Sequence, residues 1–147
     1  MRIRLVLALM LFPVICFAQQ NRRYFSSEAG AKLSLPFSSG VRVGDVLYIA
    51  GTTGVTPGTS SKSVNPEEEA RLVMEQVKHV VEQGGMAMDD IVSVQVFCTD
   101  LKNYDAFNRV YRMYFHGHYP ARAFIGASQL LFGARYEVMG IAVRRQK

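Results

Sequence analysis

The segment Asn65-Pro66-Glu67-Glu68-Glu69 constrains the fold more than any other. An Asn side chain can cap the free amides of a helix start, Pro suits the first turn, and three acids face the positive end of the helix dipole. Ala70, Val73, Val77, Val80 and Val81 then fall on one face at helical spacing, and Gly84-Gly85 ends the run. A helix with one apolar face must bury it against a second layer. The flanking segments supply that layer. Val41-Arg42-Val43 and Val46-Leu47-Tyr48-Ile49-Ala50 surround Gly44-Asp45 as a hairpin, and Ile91 to Cys98 reads as a further strand.

A second helix is predicted after Asp100, with Phe107, Val110, Tyr111 and Tyr114 as its apolar stripe and Gly117 and Pro120 closing it. Two more strands follow, at about 121–128 and 136–144, joined around Phe132-Gly133. Strands, helix, strand, helix and two strands predict an α/β fold: a two-layer sandwich of a mixed sheet with two helices on one face. The other face would need covering, which favours an oligomer.

Residues 1–18 stand apart from this plan. Met1-Arg2-Ile3-Arg4 is a short basic start, Leu5 to Phe17 is nearly all apolar, and Ala18 precedes the polar Gln19-Gln20-Asn21. That is the three-part pattern of a secretory signal peptide with cleavage after Ala18, and it implies a periplasmic or secreted protein. The apolar run is short for a membrane span. Residues 19–30 read as a loose lead-in, and 31–147 as a single domain with room for one core. Arg2 and Arg4 leave with the leader, so the 17 basic residues fall to 15 against an unchanged 12 acids. So mild an excess does not call for a nucleic-acid partner, and no membrane partner is expected after cleavage. Of the two cysteines only Cys98 remains, so no internal disulfide can form. It reads as a buried thiol in a strand.

Several patterns of chemistry fail on inspection. The Gly- and Thr-rich stretch from Gly51 lacks the Lys of a phosphate loop. His116-Gly117-His118 closes a helix, where a spacing of two splits the rings, and no third ligand stands nearby. There is no Gly-x-Ser-x-Gly elbow and no dinucleotide fingerprint, and neither a metal nor an organic cofactor is expected. One arrangement survives. Arg122, in Tyr119-Pro120-Ala121-Arg122-Ala123, can clamp a planar carboxylate from a strand, and Glu137 in the last strand could move protons on the same ligand. The residues alone leave open a plainer reading, a surface ion pair between neighbouring strands.

The chain resembles the RidA/YjgF group, the endoribonuclease L-PSP-like or reactive-intermediate deaminase family, from about residue 35 to 145. The likeness rests on Pro36 with Gly40 and Gly44, Tyr48-Ile49-Ala50-Gly51, the helix after Pro66, and Val96-Phe97-Cys98-Thr99-Asp100-Leu101. Asn108, Tyr119-Pro120-Ala121-Arg122, Tyr136-Glu137 and Ile141-Ala142-Val143-Arg144 complete it. The resemblance implies a chorismate-mutase-like fold and homotrimers with clefts between subunits. It also implies hydrolysis of small enamines and imines of the 2-aminoacrylate type to 2-oxo acids and ammonia. Arg122 would hold the carboxylate and Glu137 would orient water and exchange protons. Asn108, Phe37, Gly51 and Phe124 would line the substrate site. Phe37 stands where such deaminases carry Tyr, Ala50 where they carry Ser, Thr52 for Gln, and Phe124 for Cys. The alternative function is non-catalytic binding of small carboxylates in the same cleft. Ribonuclease activity, attached by name to some relatives, finds no paired acid and base aimed at a phosphodiester.

Overall fold

A computed structural model describes residues 21–55 and 65–145. The signal segment read from the sequence lies outside the described residues. Among the described residues six strands form one sheet in the order β1-β2-β3-β6-β4-β5: β1 (Arg22–Phe25), β2 (Gly40–Val43), β3 (Val46–Thr53), β4 (Ile91–Cys98), β5 (Ala121–Gly126) and β6 (Tyr136–Val143). All neighbours are antiparallel except β4 and β5, which are parallel and joined through a helix. The sheet is mixed, and two long helical elements cover one face, as the pattern predicts.

That face forms the core. Alternate residues Leu47 and Ile49 of β3, Val94, Val96 and Cys98 of β4, and Tyr136, Val138 and Ala142 of β6 are all buried. They meet α2 (Pro66–Gln83) through Ala70, Val73, Val77, Val80 and Val81, and α3 (Tyr104–Tyr111) through Phe107 and Val110. Asn65 caps α2 by accepting the Glu68 N–H at 2.9 Å, and Gly44 turns the β2–β3 hairpin at φ 58°. Asp100 caps a short 3-10 turn, Leu101–Asn103, that leads into α3.

Two local readings need correction. The lead-in at 19–30 is not loose where the structure describes it: β1 pairs with β2 along its whole length, and a short helix, α1 (Glu28–Lys32), follows. Alternation was invisible there because the strand is an edge, exposed on most positions. The three acids of α2 also do more than meet the dipole. Glu67 pairs with Arg109 of α3 at 2.7 Å. Glu69 is fully buried, accepting the Arg135 and Tyr136 backbone N–H groups and the Arg135 Nη1 at 2.7 Å. A carboxylate so enclosed is tolerable only because each lone pair is met. It ties the start of α2 to the start of β6, the strand that carries Glu137.

Candidate active site

Arg122 sits on β5 opposite Val94, so its side chain rises on the helix face beneath α3. Its Nη2 donates to Asn108 Oδ1 at 2.8 Å. Its guanidinium carbon lies 4.5 Å from the Tyr111 ring centre, 5.5 Å from Phe124 and 5.8 Å from Tyr104. The planar cation is thus boxed by three π faces, which attract it electrostatically and fix its orientation. The Nη1 nitrogen is enclosed and has no hydrogen-bond partner among the described residues, and the same is true of the Tyr111 hydroxyl. Burial pushes Tyr111 up to about 12, against the opposing pull of Arg122, so its hydroxyl stays protonated in ordinary conditions. Beside these groups opens a hollow of about 230 Å3, lined by Tyr104, Asn108, Tyr111, Arg112, Tyr119, Pro120 and Arg122.

Glu137 belongs to a different surface. It lies opposite Phe97 on the sheet face away from the helices. Between Ile49 and Thr52 the β3–β6 register slips, with Ala50 and Gly51 together opposing Met139. This bulge brings the Gly51 backbone under the Glu137 carboxylate, and a Cβ built on Gly51 would overlap Glu137 Oε1. Glycine is therefore required by close approach rather than by its own dihedral angles. Phe37 is exposed and, with Gly51 and Thr52, lines a second hollow of about 140 Å3. Thr52 Oγ1 donates back to the Ala50 carbonyl at 3.1 Å, so it serves the bulge.

The expected site residues therefore form two groups. Arg122, Asn108 and Phe124 come together under α3, while Gly51, Glu137 and Phe37 gather around the bulge. The surface ion pair between Arg122 and Glu137 does not exist: β4 separates their strands, and the two side chains leave opposite faces of the sheet. Phe124 packs edge-on against Tyr104 at 4.9 Å and Phe107 at 5.5 Å, so it walls the guanidinium and extends the core. Cys98 is buried, its thiol pushed up by burial and donating to the Asp100 carbonyl at 3.1 Å. Sequence reading missed Tyr104, Arg112 and Tyr119 as lining groups and took Tyr111 for core alone. The signal was the helical repeat Tyr104, Asn108, Tyr111 and Arg112, which stacks one face above Arg122.

Fold and site together define a two-layer α/β domain that presents an enclosed, half-partnered arginine beneath a helix. The chain belongs to the family described as Endoribonuclease L-PSP, which it matches over residues 29–144, and this is the RidA/YjgF family. It is similar to a RutC family protein of Saccharolobus solfataricus, 39% identical over 108 residues covering 73% of this chain and 86% of that one. It is 33% identical to the 2-iminobutanoate/2-iminopropanoate deaminase of Dermatophagoides farinae over 109 residues, 74% of this chain and 85% of the relative. Among solved structures, Escherichia coli TdcF with bound serine superposes with a TM-score of 0.69 at 32% identity, covering 75% of this chain and 89% of that one. The family thus includes proteins named as imine deaminases, and deaminase function is supported at the family level.

Proposed function

We propose that this chain is an exported, homotrimeric, cofactor-independent deaminase that hydrolyses small enamine and imine intermediates to 2-oxo acids and ammonia. One observation carries the reading: Arg122 Nη1 is enclosed with no acceptor among the described residues. An unmet buried donor costs on the order of 1–3 kcal/mol, more when charged, and a ligand carboxylate supplies what is missing. The serine bound to TdcF is a ligand that carries such a carboxylate.

Assembly would unite the two half-sites. The sheet face away from the helices exposes Tyr48, Ile125 and Met139, apolar surface that a neighbouring copy can cover. Packing these faces around an axis would set the Arg122 hollow of one copy against the Gly51–Glu137 bulge of the next. Arg122 then fixes the carboxylate of R–C(=NH)–COO−, with an enamine first taking a proton at carbon to reach the imine. Glu137 orients a water and accepts its proton as oxygen bonds to the imine carbon. That proton passes to nitrogen to give a carbinolamine, the carbinolamine hydroxyl then yields its own proton to nitrogen as the carbon–nitrogen bond breaks, and R–C(=O)–COO− and ammonia leave. Holding an already electrophilic carbon beside an oriented water is enough, because positioning removes most of the entropic cost.

The test is release of ammonia and 2-oxo acid from 2-aminoacrylate generated in situ, set against a no-protein control. Mature protein should accelerate release, Arg122→Ala should lose the acceleration, and Glu137→Ala should reduce it sharply. Full rate in Arg122→Ala would refute the site. A second reading, carboxylate binding without turnover, draws on Phe37 and Phe124, which bring neither a hydroxyl nor a thiol to the cleft. Saturable binding of 2-oxobutyrate without acceleration across several imino acids would select it.

A further inference from the structure

The hollow beside Arg122 holds a second guanidinium that the deamination of a three-carbon imine leaves unused. Arg112 follows Asn108 by four residues, so it stands one turn along, on the helix face that overlies Arg122. Its guanidinium has no ion-pair or hydrogen-bond partner among the described residues, whereas Arg109, on the same helix, is held by Glu67. Among the described residues no Asp or Glu lines this hollow. Two cations on one small cavity repel each other unless anionic charge lies between them. The remaining walls are Tyr104, Tyr111 and Tyr119, which accept an aliphatic stem and offer hydroxyls at its edge.

We infer that Arg112 makes this hollow selective for 2-imino and 2-oxo acids bearing a second carboxylate, on a backbone of four or five carbons. Arg122 binds the carboxylate next to the reacting carbon, and Arg112, one turn along from Asn108 on the wall of the same hollow, receives the distal one. The inference rests on the assignment of the Arg122 hollow as the substrate-carboxylate site. It adds the substrate class, since a distal carboxylate distinguishes an acidic amino acid's imine from that of an aliphatic one.

The test is calorimetric binding of two stable five-carbon acids, 2-oxoglutarate and 2-oxovalerate, which differ only in a terminal carboxylate against a methyl group. Mature protein at low ionic strength should bind 2-oxoglutarate more tightly by about tenfold, the lower end of what a hydrogen bond to a charged group contributes. That ratio should shrink in about 1 M salt, where the Debye length falls to about 3 Å. Arg112→Gln should collapse the ratio towards one, and Arg112→Lys should restore part of it. Equal binding of the two acids by the wild type, or an unchanged ratio in Arg112→Gln, would overturn the inference while leaving the Arg122 site intact. If neither acid bound the wild type, or if Arg122→Ala bound both undiminished, the carboxylate reading itself would fall and this inference with it.

Discussion

Replacing Arg122 with methionine separates the two things this residue does. In the folded chain the guanidinium gains one charge-assisted hydrogen bond, to Asn108 at 2.8 Å, and contact with three aromatic rings, the nearest 4.5 Å away. Those are worth about 1.5–3 kcal/mol and roughly 0.5–2 kcal/mol. Against them stands the enclosed Nη1 with no acceptor, a cost of about 1–3 kcal/mol. Methionine keeps the length of the stem and its sulfur packs well on aromatic edges, while Asn108, only half-buried, can turn to water. The opposing contributions leave a balance of about 1–2 kcal/mol in favour of arginine, part of which methionine's own packing recovers, so Arg122→Met should lower unfolding free energy by about 1 kcal/mol. Binding of a 2-oxo acid behaves differently. Loss of a two-pronged, charge-assisted clamp removes about 3 kcal/mol or more, at least a hundredfold in Kd. Urea denaturation beside calorimetry of 2-oxobutyrate reads both quantities on one preparation. A stability loss beyond about 2 kcal/mol would show that Arg122 is a structural cation whose enclosed nitrogen is satisfied after all. Retained binding would show that the carboxylate goes elsewhere.

The bulge and the short 3-10 turn Met88–Asp90 ahead of β4 each carry a further expectation. Gly51→Ala would drive a methyl into the Glu137 carboxylate; it should leave Arg122-dependent binding of 2-oxobutyrate within about twofold while cutting imine hydrolysis by at least tenfold, about 1.4 kcal/mol in barrier. Equal losses in both would place Gly51 in folding rather than in chemistry. Asp90 is held below its ordinary value of 3.8: burial alone would raise it, but the Ala87 N–H and the Arg145 guanidinium, each at 2.8 Å, outweigh burial. A depressed folded value contributes stability that is present above the unfolded value and lost as pH falls through the folded one. The Tm advantage of wild type over Asp90→Asn should therefore be constant from neutral pH to about 5 and vanish in stronger acid; an advantage that grew on acidification would refute the assignment.

Much of the fold was legible because it is written in short-range periods. The Asn65 cap, the valine stripe of α2, the Gly44-Asp45 hairpin and the alternation of β4 and β6 each declare themselves within a few residues. Membership of the family was equally legible, from Arg122, Glu137, Asn108 and Gly51 in their local settings. β1 was not, since an exposed edge strand needs no buried face and so leaves no alternation to read.

By itself the sequence determined the elements from β2 onward, their order, the layer each apolar face must join and the residue types that carry the chemistry. Only the tertiary structure decided where those residues point. Strand order β3-β6-β4-β5 inserts β4 between the strands of Arg122 and Glu137, and a period of two sends the side chains to opposite faces. The bulge that fits Gly51 under Glu137 is a slip in pairing between segments distant along the chain. The buried reach of Glu69 to Arg135 is likewise a long-range contact. Local propensity cannot encode any of these. Each is settled when backbone hydrogen bonds and buried charges across the whole sheet must be satisfied together.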